Sequence, residues 1–317
     1  MMFSAFAPFL SLVLVCVASF IFAPYSFAQS TDTTRIDALL WQISGNGIAK
    51  PSYLFGTIHL ICKSDVVMPQ ATKRCLASAK QLALEFDLSK ADESAMLNAL
   101  DAGILMRDGA TLRQFLDSSQ YALIDRYFRD SVGLSLQTME HFKPMAISMM
   151  IMQASSDGEC EETSYEEEFM RFAKRRRIPV VGVETMQKQL ELFDRIPYKD
   201  QALMLFGEIQ SAYAPLSADK PSALDLSYVT KLYKQGKISE LLQAMRKETL
   251  LSAPNGMSNT TFEEIMLNER NRAWIPVMEG MMRSKITFFA VGAAHLAGEQ
   301  GVVNLLRKRG FTLSPMK

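Results

Sequence analysis

Two short apolar segments, far apart in the chain, end in the same way. Ser52-Tyr53-Leu54-Phe55 runs into Gly56-Thr57-Ile58-His59, and Lys285-Ile286-Thr287-Phe288-Phe289-Ala290-Val291 runs into Gly292-Ala293-Ala294-His295. Apolar runs of this length, rich in β-branched and aromatic residues and stopped by glycine, read as buried strands. The chain has three histidines and 16 glycines in 317 residues. With glycine at about one position in twenty, two such Gly-x-x-His frames have a chance expectation on the order of 0.01. The frame also makes mechanical sense. Active sites of α/β sheets lie beyond the carboxyl ends of the strands. A glycine there lets the backbone turn closely, and the histidine three residues on can point over the sheet edge. Two such strand ends side by side would converge two imidazoles.

The segments between the frames set the fold class. Residues 69–80 read as a helix and Gln81-Leu82-Ala83-Leu84-Glu85-Phe86 as a second strand. With the first strand they form a βαβ unit, from which a parallel pair is expected. A helical insertion follows over about 91–160, broken near Gly133. Ser164 to Arg177 reads as an amphipathic helix with Tyr165, Phe169 and Phe172 on one face, and its basic end suits a helix C-terminus. Pro179 to Val183 is a strand ending at Glu184. Helices dominate 187–283, with loops near 217–223 and 252–258. After the second frame come a helix over 298–309 and a last strand at Phe311-Thr312-Leu313. Strands and helices alternate at both ends around a helical middle. The expectation is therefore an α/β domain over 29–317: a mixed, largely parallel sheet from two βαβ-like halves, with a large helical region.

The N-terminus reads as an address. No charged side chain precedes Asp32, residues 1–28 are one apolar stretch, and Ser26 and Ala28 make a small-x-small cleavage signal. A signal peptide over 1–28 is expected. The lack of Lys or Arg in its first residues leaves an uncleaved membrane anchor as the alternative. No later run reaches 18 apolar residues, so a periplasmic or secreted mature chain without a stable membrane span is expected. The 34 Lys+Arg balance 34 Asp+Glu, which argues against a nucleic-acid partner held by overall basic charge. At 48% apolar and 21% charged residues, the chain is not a disordered one. An oxidising compartment permits one disulfide among Cys62, Cys75 and Cys160. The short loop between Cys62 and Cys75 favours that pair.

Two imidazoles make a thin metal site, and carboxylates would have to complete it. Glu85 and Glu184 both sit at apolar strand ends, where ionisation is costly without a cation or partner. His59, His295, Glu85 and Glu184 are therefore the candidate ligands. A surface carboxylate just past the sheet remains the alternative for either glutamate. No Gly-x-Ser-x-Gly elbow, HExxH helix or phosphate-cradling glycine loop occurs.

Several segments together carry a resemblance. They are Trp41-Gln42-Ile43, PSYLFGTIHL (51–60), LALEFDLS (82–89), VVGVETMQKQL (180–190), Glu269-Arg270-Asn271 with Trp274, and FFAVGAAHLAGEQGVVNLLRKRGF (288–311). In this order they resemble the TraB/PrgY/GumN family, which includes the animal Tiki proteins. The resemblance implies a fold related to erythromycin-esterase-like proteins and a metal-dependent hydrolase acting on peptide bonds. It implies Mn²⁺ or Co²⁺ as cofactor, with Zn²⁺ also open, and a peptide or protein substrate. His59, Glu85 and His295 match its hallmark, and Arg270 and Asn271 fall in its Arg-Asn pair. Where the family often has Gly-x-Asp, this chain reads Ser164-Tyr165-Glu166, which puts Glu166 in that aspartate's place. Tyr165, Glu166 and Trp274 are assigned to substrate binding on this basis, although Trp274 can equally anchor its helix to the sheet. Glu85 is either a metal ligand or the general base. Arg270 or Asn271 would polarise the scissile carbonyl, with a structural salt bridge as the other reading of Arg270. Two readings of other classes stay open: a non-catalytic metal- or peptide-binding protein, and a metal-independent hydrolase using a histidine as general base.

Overall fold

A computed structural model of the chain describes residues 37–87, 103–154, 160–213, 226–252 and 262–316. The expected signal peptide, the first part of the helical insertion, the loop near 217–223 and all but the first residue of that near 252–258 lie outside the described residues. In chain order the main elements are β1 (Leu40–Gly45), β2 (Ser52–Thr57), β3 (Ile61–Cys62), α1 (Gln70–Ser78) and β4 (Gln81–Phe86). Then come α2 (Ser118–Tyr127), α3 (Pro144–Ala154), β5 (Glu162–Thr163), α4 (Tyr165–Arg176), β6 (Val180–Glu184), α5 (Met186–Phe193) and α6 (Tyr198–Tyr213). The last are α7 (Leu226–Lys234), α8 (Ile238–Ser252), α9 (Glu269–Ser284), β7 (Thr287–Gly292), α10 (Val302–Lys308) and β8 (Phe311–Met316).

Six strands form one mixed, mostly parallel sheet in the order β6-β4-β7-β2-β1-β8. The four strands β6, β4, β7 and β2 run parallel, while β1 is antiparallel to both β2 and β8. The expected α/β class is correct, but one pairing differs. The strands of the first βαβ unit, β2 and β4, do not pair with each other; β7 lies between them and pairs with both. The two βαβ crossovers are thus interlaced, and it is this interlacing that puts the two Gly-x-x-His frames next to each other.

The central strands read as continuous apolar runs because both faces are covered. Every residue of β7 is buried, and Phe288, Phe289, Leu82, Leu54 and Ile43 are fully enclosed. Helix α4 packs Tyr165, Phe169 and Ala173 onto this sheet, while Phe172, expected on the same face, is partly buried beside them. Phe169 meets Phe55 edge-on with ring centroids 5.1 Å apart. Its ends follow local rules: Ser164 caps it by accepting from the Glu167 N–H, acidic residues occupy the first turn and basic ones the last. The helices of the middle region hold a second apolar cluster, with Ile124, Phe128, Ile147, Leu205 and Ile209 among its buried members.

The disulfide joins Cys62 to Cys160, and Cys75 is a buried free thiol. The expected Cys62–Cys75 pair is thereby corrected. Loop closure favours the nearer cysteine only weakly, because its cost grows with the logarithm of loop length. Sheet pairing decides instead: β3 pairs with β5, which brings Cys62 to Cys160, whereas Cys75 is buried in α1 with its thiol directed at the Met316 sulfur.

Candidate metal and catalytic site

Strands β2 and β7 end in register, with Gly56 opposite Val291 and Thr57 opposite Gly292. Both glycines are needed for close approach. A Cβ on Gly56 would lie 3.1 Å from the Ala293 Cα, and one on Gly292 would lie 3.2 Å from both Glu85 Oε1 and His59 Nε2. The two frames therefore pack into each other, and the space over Gly292 is where their side chains meet.

His295 is buried behind this space, and its tautomer follows from its partners. The Asn271 amide donates to the Gln300 carbonyl at 2.9 Å, which turns its oxygen toward His295. That oxygen lies 2.6 Å from Nδ1, so Nδ1 carries the proton and donates. Nε2 is left with a lone pair and accepts from Arg270 at 3.1 Å. Burial and the Arg270 charge, against the pull of Glu85, bring the His295 pKa down to about 3. The Trp274 ring lies on its imidazole with centroids 4.4 Å apart.

Arg270 is the hub of the buried wall. Its Nη2 donates to Glu85 at 2.6 Å and to Glu184 at 2.6 Å, its Nε to Glu184 at 3.0 Å, and its Nη1 to the Met266 carbonyl and to His295. All five N–H donors are used. Glu184 is satisfied in turn, since its second oxygen accepts from the Trp274 indole at 3.0 Å. Glu85 accepts from Arg270 through one oxygen and from the Gly292 N–H at 2.8 Å through the other. Burial opposes its ionisation, but His295, His59, Arg270 and this N–H together hold the carboxyl well below the usual range. Because His295 is neutral near pH 7, Arg270, His59 and the Gly292 N–H are the contributors there.

His59 forms the open wall, with 62% of its side chain exposed. Its Nδ1 lies 2.9 Å from Glu166 Oε1, which also accepts from the Thr57 hydroxyl. Crowding by protein opposes a charge on this ring, but the hydrogen bond and charge of Glu166, with Glu85 behind, raise its pKa to about 9. Both histidines thus use Nδ1 on a side-chain oxygen and present Nε2 to the same atom. Glu85 Oε1 is 3.9 Å from His59 Nε2 and 3.8 Å from His295 Nε2.

A model of the TraB/PrgY/gumN family matches residues 39–315. The chain belongs to this family. It is 24% identical to a metalloprotease TIKI homolog of Amphimedon queenslandica across 91% of this chain and 63% of that protein. It thus spans less than two thirds of that relative's length. It is 23% identical to the uncharacterized protein YbaP of Shigella flexneri across 81% of this chain and 88% of the other. It is likewise 23% identical to YbaP of Escherichia coli (strain K12), across 80% and 87%. No solved structure gives a significant match.

Several residues of this TraB-family chain stand elsewhere than the sequence suggested. Tyr165, expected to touch substrate, is buried at 1% exposure, and its hydroxyl is bonded to the Val67 backbone. Its side chain belongs to the core face of α4, which the family motif that marked it does not reveal. Trp274, also expected at the substrate, is buried behind His295 and Glu184, so the anchoring alternative describes its position. Arg270 and Asn271, expected to polarise a carbonyl, spend their donors on protein groups. Glu184 is bonded to Arg270 and Trp274. Two contributors were not anticipated. Thr57 lies inside the first frame and orients Glu166, while Tyr233, buried, donates to the Gly56 carbonyl at 2.7 Å. The first was within reach of the motif; the second carried no signal in sequence.

Among the described residues, no three His, Cys, Asp or Glu side chains already stand in ligating geometry. The donor chemistry nonetheless suits a divalent ion. Two Nε2 atoms face one carboxylate oxygen, each Nδ1 is held by an oxygen acceptor as in metal-bound histidines, and Glu166 Oε2 is buried without a hydrogen-bond partner. An ion there would compete with Arg270 for the His295 lone pair and with a proton for that of His59.

Proposed function

We propose that the chain is an extracytoplasmic metal-dependent hydrolase of peptide bonds. The observation that carries this reading is the convergence of His59 Nε2 and His295 Nε2 on Glu85 Oε1 above Gly292. The relative named as a metalloprotease supports the reaction class. The Cys62–Cys160 disulfide supports an oxidising compartment. Among the described residues no helix is long and apolar enough to cross a membrane.

His59, His295 and Glu85 would hold the ion, with Glu166 Oε2 as the proton acceptor beside it. A bound divalent ion, with Mn²⁺ or Co²⁺ as the first choices, lowers the pKa of a water toward neutrality and polarises a carbonyl. Glu85 is too strongly held in its charged form by Arg270 and Gly292 to serve as an effective base, so its part is ligation. Glu166, whose Oε2 has no hydrogen-bond partner, is placed to take the proton from water and return it to the leaving amine. Arg270, Asn271, Trp274 and Glu184 do not meet the substrate. They fix the charge of Glu85 and the orientation of His295.

The test is a mixed peptide library read by mass spectrometry, after chelation and after return of Mn²⁺, Co²⁺ or Zn²⁺. Cleavage is expected only with metal, and His59→Ala and His295→Ala should abolish it. Glu166→Gln should keep metal binding while turnover falls about 10²–10⁴-fold, whereas Glu85→Gln should lose binding. One observation favours a second reading, a metal-independent hydrolase with His59 and Glu166 as the acid–base pair: Arg270 already occupies the His295 lone pair. Full cleavage after chelation would select it. Metal binding without cleavage of any peptide would select a binding protein.

A further inference from the structure

The two sides of the open wall are anchored separately, His59 two residues after β2 and Glu166 in the first turn of α4, but little backbone pairing joins one side to the other. His59 lies two residues before β3, and Glu166 three residues after β5. These strands pair at two positions only, Ile61 with Thr163 and Cys62 with Glu162. Two further backbone bonds join the segments: the Lys63 N–H donates to the Glu161 carbonyl at 2.7 Å, beside an exposed Lys63–Glu161 ion pair, and the Tyr165 N–H donates to the Ile58 carbonyl at 3.5 Å. A ribbon this short is marginal by itself. The one covalent tie between the two segments is the Cys62–Cys160 disulfide, which closes a sequence separation of 98 residues. The buried wall needs no such tie. Glu85, Arg270, Asn271 and His295 are fixed by β4, α9, the end of β7 and the hydrogen bonds among them.

We propose that the Cys62–Cys160 disulfide is a positioning crosslink for the site: it holds His59 against Glu166, and opening it frees the open wall while the buried wall stays in place. The positional claim stands on the contacts alone. Its consequence for metal binding rests on the function proposed above, and the experiment reads the two separately.

The chain has three histidines, and they divide well for this purpose. His59 is on the open wall and His295 on the buried one. His141 is remote, with Nδ1 at the Ala110 carbonyl and an exposed side chain. Ring ¹H–¹³C spectra of the metal-free purified protein, at one pH, should be compared with those of a Cys62→Ser/Cys160→Ser variant. The wild type treated with excess dithiol reductant is the second arm. There Cys62 and Cys160 each gain one electron and one proton, and the reductant closes to its own disulfide. The expected result in both arms is a shifted or broadened His59 signal with His295 and His141 unchanged. Three unchanged signals would overturn the proposal. So would collapse of all three, which would make the bond a support of the whole fold. In the same samples, Mn²⁺ or Co²⁺ should bind about tenfold more weakly without the crosslink. An unchanged affinity beside a displaced His59 would contradict the proposed role of His59 as a ligand, but not the crosslink's hold on its position.

Discussion

The two histidines of the site share a sequence frame and almost nothing else. His295 is 5% exposed at the side chain, neutral, and enclosed by Asn271, Arg270 and Trp274. His59 is 62% exposed, inclined to carry a proton, and held mainly by Glu166. One wall is an extension of the core, built on central strands and a fully satisfied arginine. The other sets a loop residue, His59, against Glu166 at the start of α4, the two sides being joined by a two-residue ribbon, a disulfide and the hydrogen bonds of Glu166. The contrast shows how one site can divide its tasks. The buried wall fixes a charge and a lone pair in place, and the open wall exchanges protons with solvent.

The largest difference between the walls should appear in stability. Arg270→Ala leaves Glu85 and Glu184 buried without their cation, and breaking such a pair costs about 3–5 kcal/mol. Glu166→Ala, which breaks a half-exposed pair and leaves the buried Thr57 hydroxyl without its acceptor, should cost less, about 1–3 kcal/mol. Urea unfolding of both variants measures this directly. Equal losses would erase the distinction between the walls.

A smaller effect separates the histidines themselves. His295→Ala leaves the Asn271 oxygen and one Arg270 N–H without their partner, at about 1–3 kcal/mol. His59→Ala exposes no buried donor and should shift the urea midpoint far less. Both variants should nevertheless lose metal binding, so similar function with dissimilar stability is the expected signature.

The smallest effect, and the sharpest in sign, is on pH dependence. The His59 pKa is raised from 6.5 to about 9. Its contribution to stability is therefore complete below pH 6.5 and disappears as pH rises through about 9. The His295 pKa is lowered from 6.5 to about 3. Its contribution is present above pH 6.5 and disappears as pH falls toward 3. In metal-free protein, Glu166→Gln should flatten the alkaline loss and leave the acid loss in place. An unchanged alkaline slope in Glu166→Gln would remove the His59–Glu166 pair from the account.

How much of this was legible in the sequence follows the same division. The strand ends at Gly56 and Gly292, and Glu85 on β4, were readable because a buried parallel strand is a short apolar run stopped by glycine. That reading does not give strand order, so β7 between β2 and β4 was not anticipated. Strand β1 was left out of the strand reading. Its pattern of buried Leu40, Trp41 and Ile43 is short, but Gly45-Asn46-Gly47, all at positive φ, was a usable turn signal before β2. Side-chain direction was the main loss. The family resemblance put Arg270, Asn271 and Trp274 near the site, yet a motif cannot tell the front of a histidine from its back. The Tyr165 face was identified correctly as a stripe, and the stripe belonged to the core. The disulfide depended on a two-residue pairing, which leaves no periodicity to read.

The most direct test of the central claim is whether both walls meet at one ion. In a titration of the protein with Mn²⁺, whose unpaired electrons broaden nearby resonances, the ring signals of His59 and His295 should vanish together at one stoichiometric equivalent. The His141 signal should persist. Loss of only one of the two site signals, or persistence of both at Mn²⁺ levels that support peptide cleavage, would contradict a shared site.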